Sequence, residues 1–309
     1  MSLHVFANFL TPFGTAANNR AETEGNITTL QKILWKGETH STVSAEAIRF
    51  ALRRRLADTE GAGTNRKWDE NERNNTWQDW EFKGWTSDKG KTFIDDDLLG
   101  YMTAQAAKEE GEAGSANVRR AVLEVTRAVS LTAWPGDVTF NAASPGATPS
   151  AQKKGTNPVP YGTEVHATRY QYGIALTPER LRDKSRAAKA VKALSELGTV
   201  AGNHGRFLFD FSPDSLVFRI TDDAAPRLLY CFETHDDDKA VDAPSLLQRV
   251  YDGDIKAEEL IIGGTFAKTG AATELKKRGA FVGVNGQSGV KPAAAEAVRR
   301  INELLGIKG

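Results

Sequence analysis

Val43-Ser44-Ala45-Glu46-Ala47-Ile48-Arg49-Phe50-Ala51-Leu52-Arg53-Arg54-Arg55-Leu56 is the stretch on which the reading of this chain turns. Ser44 is a good N-cap, because its hydroxyl can accept from an otherwise unpaired amide of the first turn. Glu46 then sits where a negative charge complements the helix dipole. Ala47, Ile48, Ala51, Leu52 and Leu56 recur at helical spacing, so the stretch predicts a helix from Ser44 to about Leu56 with that face in the core. Arg49 and Arg53, four apart, stack on one flank beside the apolar stripe. Arg55 falls inside the apolar arc near the helix end and has to snorkel.

Working outward, Leu3 to Leu10 alternates as a buried or half-buried strand, with neither the basic start nor the small-residue cleavage site of a signal peptide. Thr11 to Thr42 is long, polar and rich in Asn, Thr and Gly, which predicts little regular structure. Beyond the helix, residues 58–97 form a charged insertion holding Trp68, Trp77, Trp80 and Trp85. These rings could stack on bases, but a small satellite core is the simpler expectation. Val118 to Trp134 favours one long strand, and His166 to Leu176 another. Between them, Pro135 to Gly162 carries five of the eleven prolines together with Lys153-Lys154, too much proline for a central strand. It predicts a protruding loop or hairpin. Pro178 opens a basic helical stretch to about Leu197. Leu216–Ile220 and Leu228–Phe232 look like strands, Ile261-Ile262 and Phe281-Val282 like weaker ones. Pro292 to Leu305 is an amphipathic helix with Ala295, Val298, Ile301 and Leu305 on one face. The order strand, helix, strand, strand, helix, strand fits a ferredoxin-like α+β core, the RRM topology, elaborated by insertions.

Composition narrows the function classes. The 309 residues are 40% hydrophobic and 26% charged, enough for a substantial core. No run approaches the roughly 18 apolar residues of a membrane span, and cytoplasmic residence is expected. The single cysteine, Cys231, excludes an intramolecular disulfide and a cysteine-rich zinc site. Net charge is zero, 40 basic against 40 acidic, but unevenly spread. Residues 1–56 are net +3, 57–112 net −7, 113–210 net +6 and 211–309 net −2. Two basic blocks flank an acidic one, and a fold joining them would make a positive groove.

No catalytic or metal signature is present, and no cofactor is expected. Gly263 to Gly270 lacks the glycine before Lys-Thr that a phosphate loop needs. Gly283 to Gly289 is glycine-rich without the dinucleotide pattern and reads as a turn. His235-Asp236-Asp237-Asp238 cannot converge on one ion without strain, and reads as a solvated acidic turn. Gly202-Asn203-His204-Gly205-Arg206 precedes the aromatic run Phe207-Leu208-Phe209-Asp210-Phe211. His204 and Arg206 beside aromatics suit phosphate contact and base stacking, although His204 as a hydrogen-bonded loop organiser is slightly favoured.

Thr39-His40-Ser41-Thr42-Val43-Ser44-Ala45-Glu46-Ala47-Ile48-Arg49-Phe50-Ala51-Leu52-Arg53, preceded by Asn18-Asn19-Arg20, together with Val200 to Phe211, resembles the DevR-like family, the backbone subunits of type I CRISPR Cascade complexes, of the I-B kind. The resemblance is strongest over residues 1–56 and 164–220 and thin over 58–97 and the last seventy or so. It implies an RRM-like palm (1–57, 98–134 and 164–309), a helical finger insertion (58–97) and a thumb hairpin (135–163). It implies a non-catalytic protein whose copies stack along CRISPR RNA beside other Cascade subunits, leaving bases free to pair with target DNA. By the same resemblance Ser44, Arg49 and Arg53 face RNA phosphates, Asn18, Asn19 and Arg20 line the same groove, and Lys153 and Lys154 lie near the thumb tip. Glu46 stands where relatives often carry a neutral glutamine, a departure at that contact. Two rival roles remain open: a metal-dependent ribonuclease of the type III kind, with a loop aspartate such as Asp58 or Asp69, and a stand-alone RNA-binding regulator.

Overall fold

The computed structural model describes residues 2–105, 115–147, 152, 158–202, 204–235 and 240–307. β1 (His4–Leu10) forms as expected, but Thr11 to Thr42 is not irregular. It holds β2 (Gly14–Ala16), β3 (Asn19–Glu24), β4 (Ile27–Leu30), β5 (Lys32–Trp35) and β6 (Glu38–Val43). Lys36 and Gly37, at φ 51° and 88°, make the tight two-residue turn that pairs β5 with β6. The polar composition masked strands that alternate weakly because they are only half covered.

α1 (Ala45–Glu60) starts as predicted, with the Ser44 hydroxyl accepting from the Ala47 amide at 3.2 Å and Ile48, Ala51, Leu52 and Leu56 buried. The 58–97 segment, expected to be helical, is instead mainly the hairpin of β7 (Arg66–Asp69) and β8 (Asn74–Trp77), followed by α2 (Ile94–Leu99). Its aromatic side chains form the expected satellite cluster: Trp77 packs on Phe82, Phe82 stacks on Tyr101 at 3.8 Å, and Trp85 lies against Tyr101. Trp68 meets Phe50 of α1. Trp80 is left 65% exposed.

The long strand expected at 118–134 is three pieces. β9 (Tyr101–Gln105) pairs with β10 (Ser115–Arg119) outside the main sheet, and β11 (Leu123–Val125) and β12 (Ala128–Ser130) follow. The last two both pair with one strand, but the register slips by a residue between them. Thr126 causes the slip: its hydroxyl accepts from the Gly173 amide at 2.8 Å, in the place of a ladder bond.

β13 (Val138–Ala143) and β14 (Val159–Glu164) form the expected hairpin, and β14 also joins β4 in parallel. β15 (His166–Thr168) and β16 (Tyr170–Leu176) take the place of the single strand expected there. α3 (Arg186–Ser195) lies in the predicted basic stretch, and β17 (Ser215–Thr221) follows. Leu228–Phe232 is not a strand; Arg227 and Tyr230 sit at φ 56° and 55°, which turn the chain. The remainder is β18 (Glu233–His235), β19 (Ala240–Asp242), α4 (Pro244–Tyr251), β20 (Leu260–Gly264), α5 (Gly270–Lys277), β21 (Phe281–Val282) and α6 (Val290–Leu305). Of the predicted α6 face, Ile301 is buried and Val298 and Leu305 pack against the core, but Ala295 is exposed, and Ala293, Ala294 and Ala297 complete the buried side. Gly263 sets the phase: a Cβ there would lie 2.4 Å from that of Ala293, so helix and strand approach closely only on that side.

The main sheet runs β21-β20-β17-β1-β16-β12-β6-β5, with β11 beside β16. Its centre, β17-β1-β16 with β11 and β12, is antiparallel at every pairing. Val5, Ala7 and Phe9 of β1 point to the face covered by α1, α3 and α6, while Phe6 and Leu10 point to the other. That second face is buried too, under Leu228, Phe232, Leu246, Phe266 and Leu275. No helix among the described residues is long and apolar enough to cross a membrane.

Candidate nucleic-acid interface

Burial on both faces closes the usual aromatic platform of an RNA-binding sheet. Asn8 and Gln171, polar residues of central strands, are satisfied by the segment lying over them: Gln171 donates to the Phe232 carbonyl at 2.9 Å, and Asn8 accepts from the Tyr230 amide at 3.1 Å. Any polyanion must therefore use the edges and loops.

One such place is a groove of about 620 Å³ between α1 and the loop after α3. Arg54, Arg55 and Asp58 line it from the helix, and Gly198, Gly202 and His204 from the loop. Gly202, at φ 115°, presses on Ala17 and Asn18; a Cβ there would meet the Ala17 carbonyl at 3.3 Å. The sequence-distant Asn18 and His204 segments are thus brought together beside the start of α1.

Asn18 is buried over a polar network. The Tyr170 hydroxyl lies 2.5 Å from Ser41 Oγ. Ser41 Oγ lies 2.7 Å from His166 Nδ1, and Thr132 and Thr168 continue the chain. Burial pushes the His166 imidazole down to about 4, so it is neutral and serves as a fixed hydrogen-bonding post. Ser41 is fully buried, which makes this Ser–His contact structural and not a nucleophile with its base.

His204 is not the hydrogen-bonded organiser that the sequence slightly favoured. Both ring nitrogens are shielded from solvent and have no partner among the described residues, while the ring lines the groove. Arg206 is exposed, and its guanidinium lies 5.0 Å from the centre of the Tyr161 ring on β14. The hairpin base and the 204–206 loop therefore meet. Asn19 and Arg20 open β3, but their side chains, like Lys153 and Lys154, lie outside the described residues.

Arg49 and Arg53 occupy the other flank of α1. Arg49 donates to the Leu99 carbonyl and Arg53 to that of Gly100, at 2.5 and 3.5 Å, so both seat the C-terminus of α2. Burial lowers both, Arg53 to about 10. The groove side instead carries Arg54, ion-paired with Glu70 at 2.7 Å, and Arg55, paired with Glu196. The signal that could have found them was the unbroken Arg53-Arg54-Arg55 run, whose members must point to different flanks.

Also unread in the sequence was the role of Asp95, Asp96 and Asp97, all fully buried on α2. Asp95 accepts from the Asn65 and Arg66 amides, and Asp97 from Arg119, Arg186 and the Arg182 and Asp183 amides. Asp95 thus holds α2 to the start of β7, and Asp97 ties it to β10 and α3. Among the described residues no group of three His, Cys, Asp or Glu side chains is placed to hold a metal ion.

Comparison with known proteins gives this geometry a context. The model of the family described as CRISPR-associated negative auto-regulator DevR/Csa2 matches residues 12–228. A curated relative from Myxococcus xanthus (strain DK1622), the CRISPR-associated protein Cas7/Cst2/DevR, is 60% identical over 302 residues, 97% of this chain and 98% of its own. A chain from a structure described as a CRISPR RNA-guided surveillance complex, pre-nicking, superposes with a TM-score of 0.56 at 12% identity, over 96% of this chain and 100% of that one. Another, from a CRISPR RNA-guided surveillance complex, gives 0.52 at 15% identity, over 95% and 99%. At such identities the two structures testify to shared fold. Family model and curated relative together place the chain in the DevR/Csa2 family of CRISPR-associated proteins.

Proposed function

We propose that this protein is a non-catalytic, CRISPR RNA-binding backbone subunit of a Cascade surveillance complex, whose copies stack along the guide RNA and leave its bases free for target DNA. The observation that carries the reading is the groove between α1 and the 196–204 loop, lined by Arg54, Arg55 and His204 and bordered by Asn18 and the base of the β13–β14 hairpin. Guanidinium groups contact phosphates whatever the base sequence, as a subunit serving every guide must. Sequence is read by base pairing and not by the protein.

The fold supports the same reading. If β17, β1, β16 and β11/β12 are numbered by chain order within the core, they lie fourth, first, third, second, with α1 and α3 as the two crossovers. That is the order of an RRM-like palm. The β7–β8 excursion is then the finger and the β13–β14 hairpin the thumb. Ser44, Asn19, Arg20 and Arg206 border the groove in this reading, Arg49 and Arg53 add positive charge on the second flank of α1, and Lys153 and Lys154 belong to the thumb tip.

Sequencing the RNA that co-purifies with the tagged protein from its own cells tests the proposal. Small RNAs of uniform length sharing a repeat-derived end are expected. RNA of random origin, or none, points instead to a stand-alone regulator, and metal-dependent cutting of complementary RNA by the purified complex points to the ribonuclease reading.

A further inference from the structure

A second groove, of about 740 Å³, lies between the β9–β10 hairpin and the 180–182 segment, and shares no lining residue with the α1 groove. Trp85, Tyr101, Arg119, Arg120, Arg180 and Arg182 line it. We infer that this groove binds the sugar-phosphate backbone of a single-stranded nucleic acid, separately from the strand held at α1.

The arginines divide into two kinds. Arg119 is fixed: it donates to Asp97 Oδ1, and its guanidinium lies 4.3 Å from the centre of the Trp85 ring. Arg182 is tethered at the rim by the Ser87 carbonyl, with Asp88 4.0 Å away. Arg120 and Arg180 are exposed, and among the described residues their guanidinium groups have no hydrogen bond, carboxylate or ring partner. Among the described side chains the only other arginine so placed is Arg73, at a hairpin turn. The other described arginines have partners: Arg219 is held by Glu259 and Asp223, and Arg299 grips both oxygens of Glu296. Two unpaired ones together in one concave site are therefore uncommitted charge.

The lining carries one carboxylate, Glu124, against the four arginines, so the groove is positive. An acidic peptide could meet that charge. The aromatic lining favours a polynucleotide, because Trp and Tyr side chains add stacking surface to phosphate contact, the combination that holds single strands without reading sequence. Arg matches phosphate geometry in the same way at any base.

Fluorescence anisotropy of the full-length protein with fluorescein-labelled dT15, across a salt series, tests this. Arg120→Ala with Arg180→Ala should leave the melting temperature within a degree or two, since neither side chain has a partner to lose. It should lower the slope of log K against log salt by about 1.4, two phosphates on a single strand. The same loss should appear in an Arg54→Ala, Arg55→Ala background, where the α1 groove is disarmed, and Arg120→Lys with Arg180→Lys should largely restore the slope. An unchanged slope in the folded alanine variant overturns the inference. So does loss of polyglutamate binding with dT15 binding untouched, which would make the groove a docking surface for an acidic protein segment.

Discussion

Asp96 accepts a hydrogen bond from the Asn65 side-chain amide at 2.7 Å through one oxygen, while its other oxygen is buried with no hydrogen-bond partner among the described residues and Arg66 stands off at 3.8 Å. Burial, and next the neighbouring Asp95 carboxylate, push Asp96 up to about 7. A carboxyl raised in the folded state stabilises fully below its unfolded value near 3.8, and that contribution is lost as pH rises through about 7. Asp96→Asn should therefore flatten the decline in stability between about pH 4 and 7, and above pH 7 leave the variant more stable by roughly 1–3 kcal/mol. Thermal melts of both proteins across that range check it; parallel curves would mean that Asp96 is ionised throughout.

Arg49 and Arg53 are placed to do two things, and one double variant separates them. Removing both guanidinium groups strips hydrogen bonds from the α2 C-terminus, which should cost about 1–3 kcal/mol in chemical denaturation. If spare N–H groups also reach phosphates, Arg49→Ala with Arg53→Ala should weaken RNA binding equally for all sequences and flatten its salt dependence. A folded double variant with the wild-type salt slope would confine both residues to seating α2.

How much of this was legible differs by element, for physical reasons. α1 was readable to its cap because Ser44, Glu46 and the stripe Ile48, Ala51, Leu52, Leu56 all answer to local rules. The strands of 14–43 were not, since half-covered Thr- and Asn-rich strands carry little hydrophobic alternation and are fixed by partners such as β14, over a hundred residues away. α6 was found with Val298, Ile301 and Leu305 rightly facing the core, but Ala293, Ala294 and Ala297 were missed because their close approach depends on the bare backbone of Gly263, a contact between distant residues. The site shows the same split. Ser44, Arg206 and His204 could be singled out from neighbours in sequence, whereas the flank each arginine of α1 would take depended on where α2 and the 196–204 loop pack.

The contact between Arg206 and Tyr161 joins the loop after α3 to the hairpin base. Arg206→Ala removes a partly exposed cation–π pair, so stability should fall by about 1 kcal/mol or less. RNA affinity should fall several-fold, while Tyr161→Phe, which keeps the ring, should leave it near wild type. Electrophoretic mobility shifts with one guide RNA against the three proteins suffice; equal loss in Arg206→Ala and Tyr161→Phe would show that the phenol and not the ring matters.

The β13–β14 hairpin offers the sharpest division between folding and function. Its first strand alternates exposed and half-buried, with Phe140 80% exposed, so little apolar surface depends on it. Its second strand is different: Glu164 accepts from the Leu30 amide at 2.7 Å and pairs with Lys32, and Thr163 is buried where β14 meets β4. Cutting outside that seam should spare the fold. Replacing residues 140–158 by a short Gly/Ser linker is therefore expected to keep a cooperative melt within a few degrees of wild type. If the hairpin reaches over RNA held by a neighbouring copy, the same protein should lose ordered stacking on a long guide RNA and show weaker, irregular binding by electron microscopy and sedimentation. Regular assemblies from the shortened chain would reduce the hairpin to a surface loop. An unfolded chain would show that β13 bears on the core, a result the exposure of Phe140 argues against.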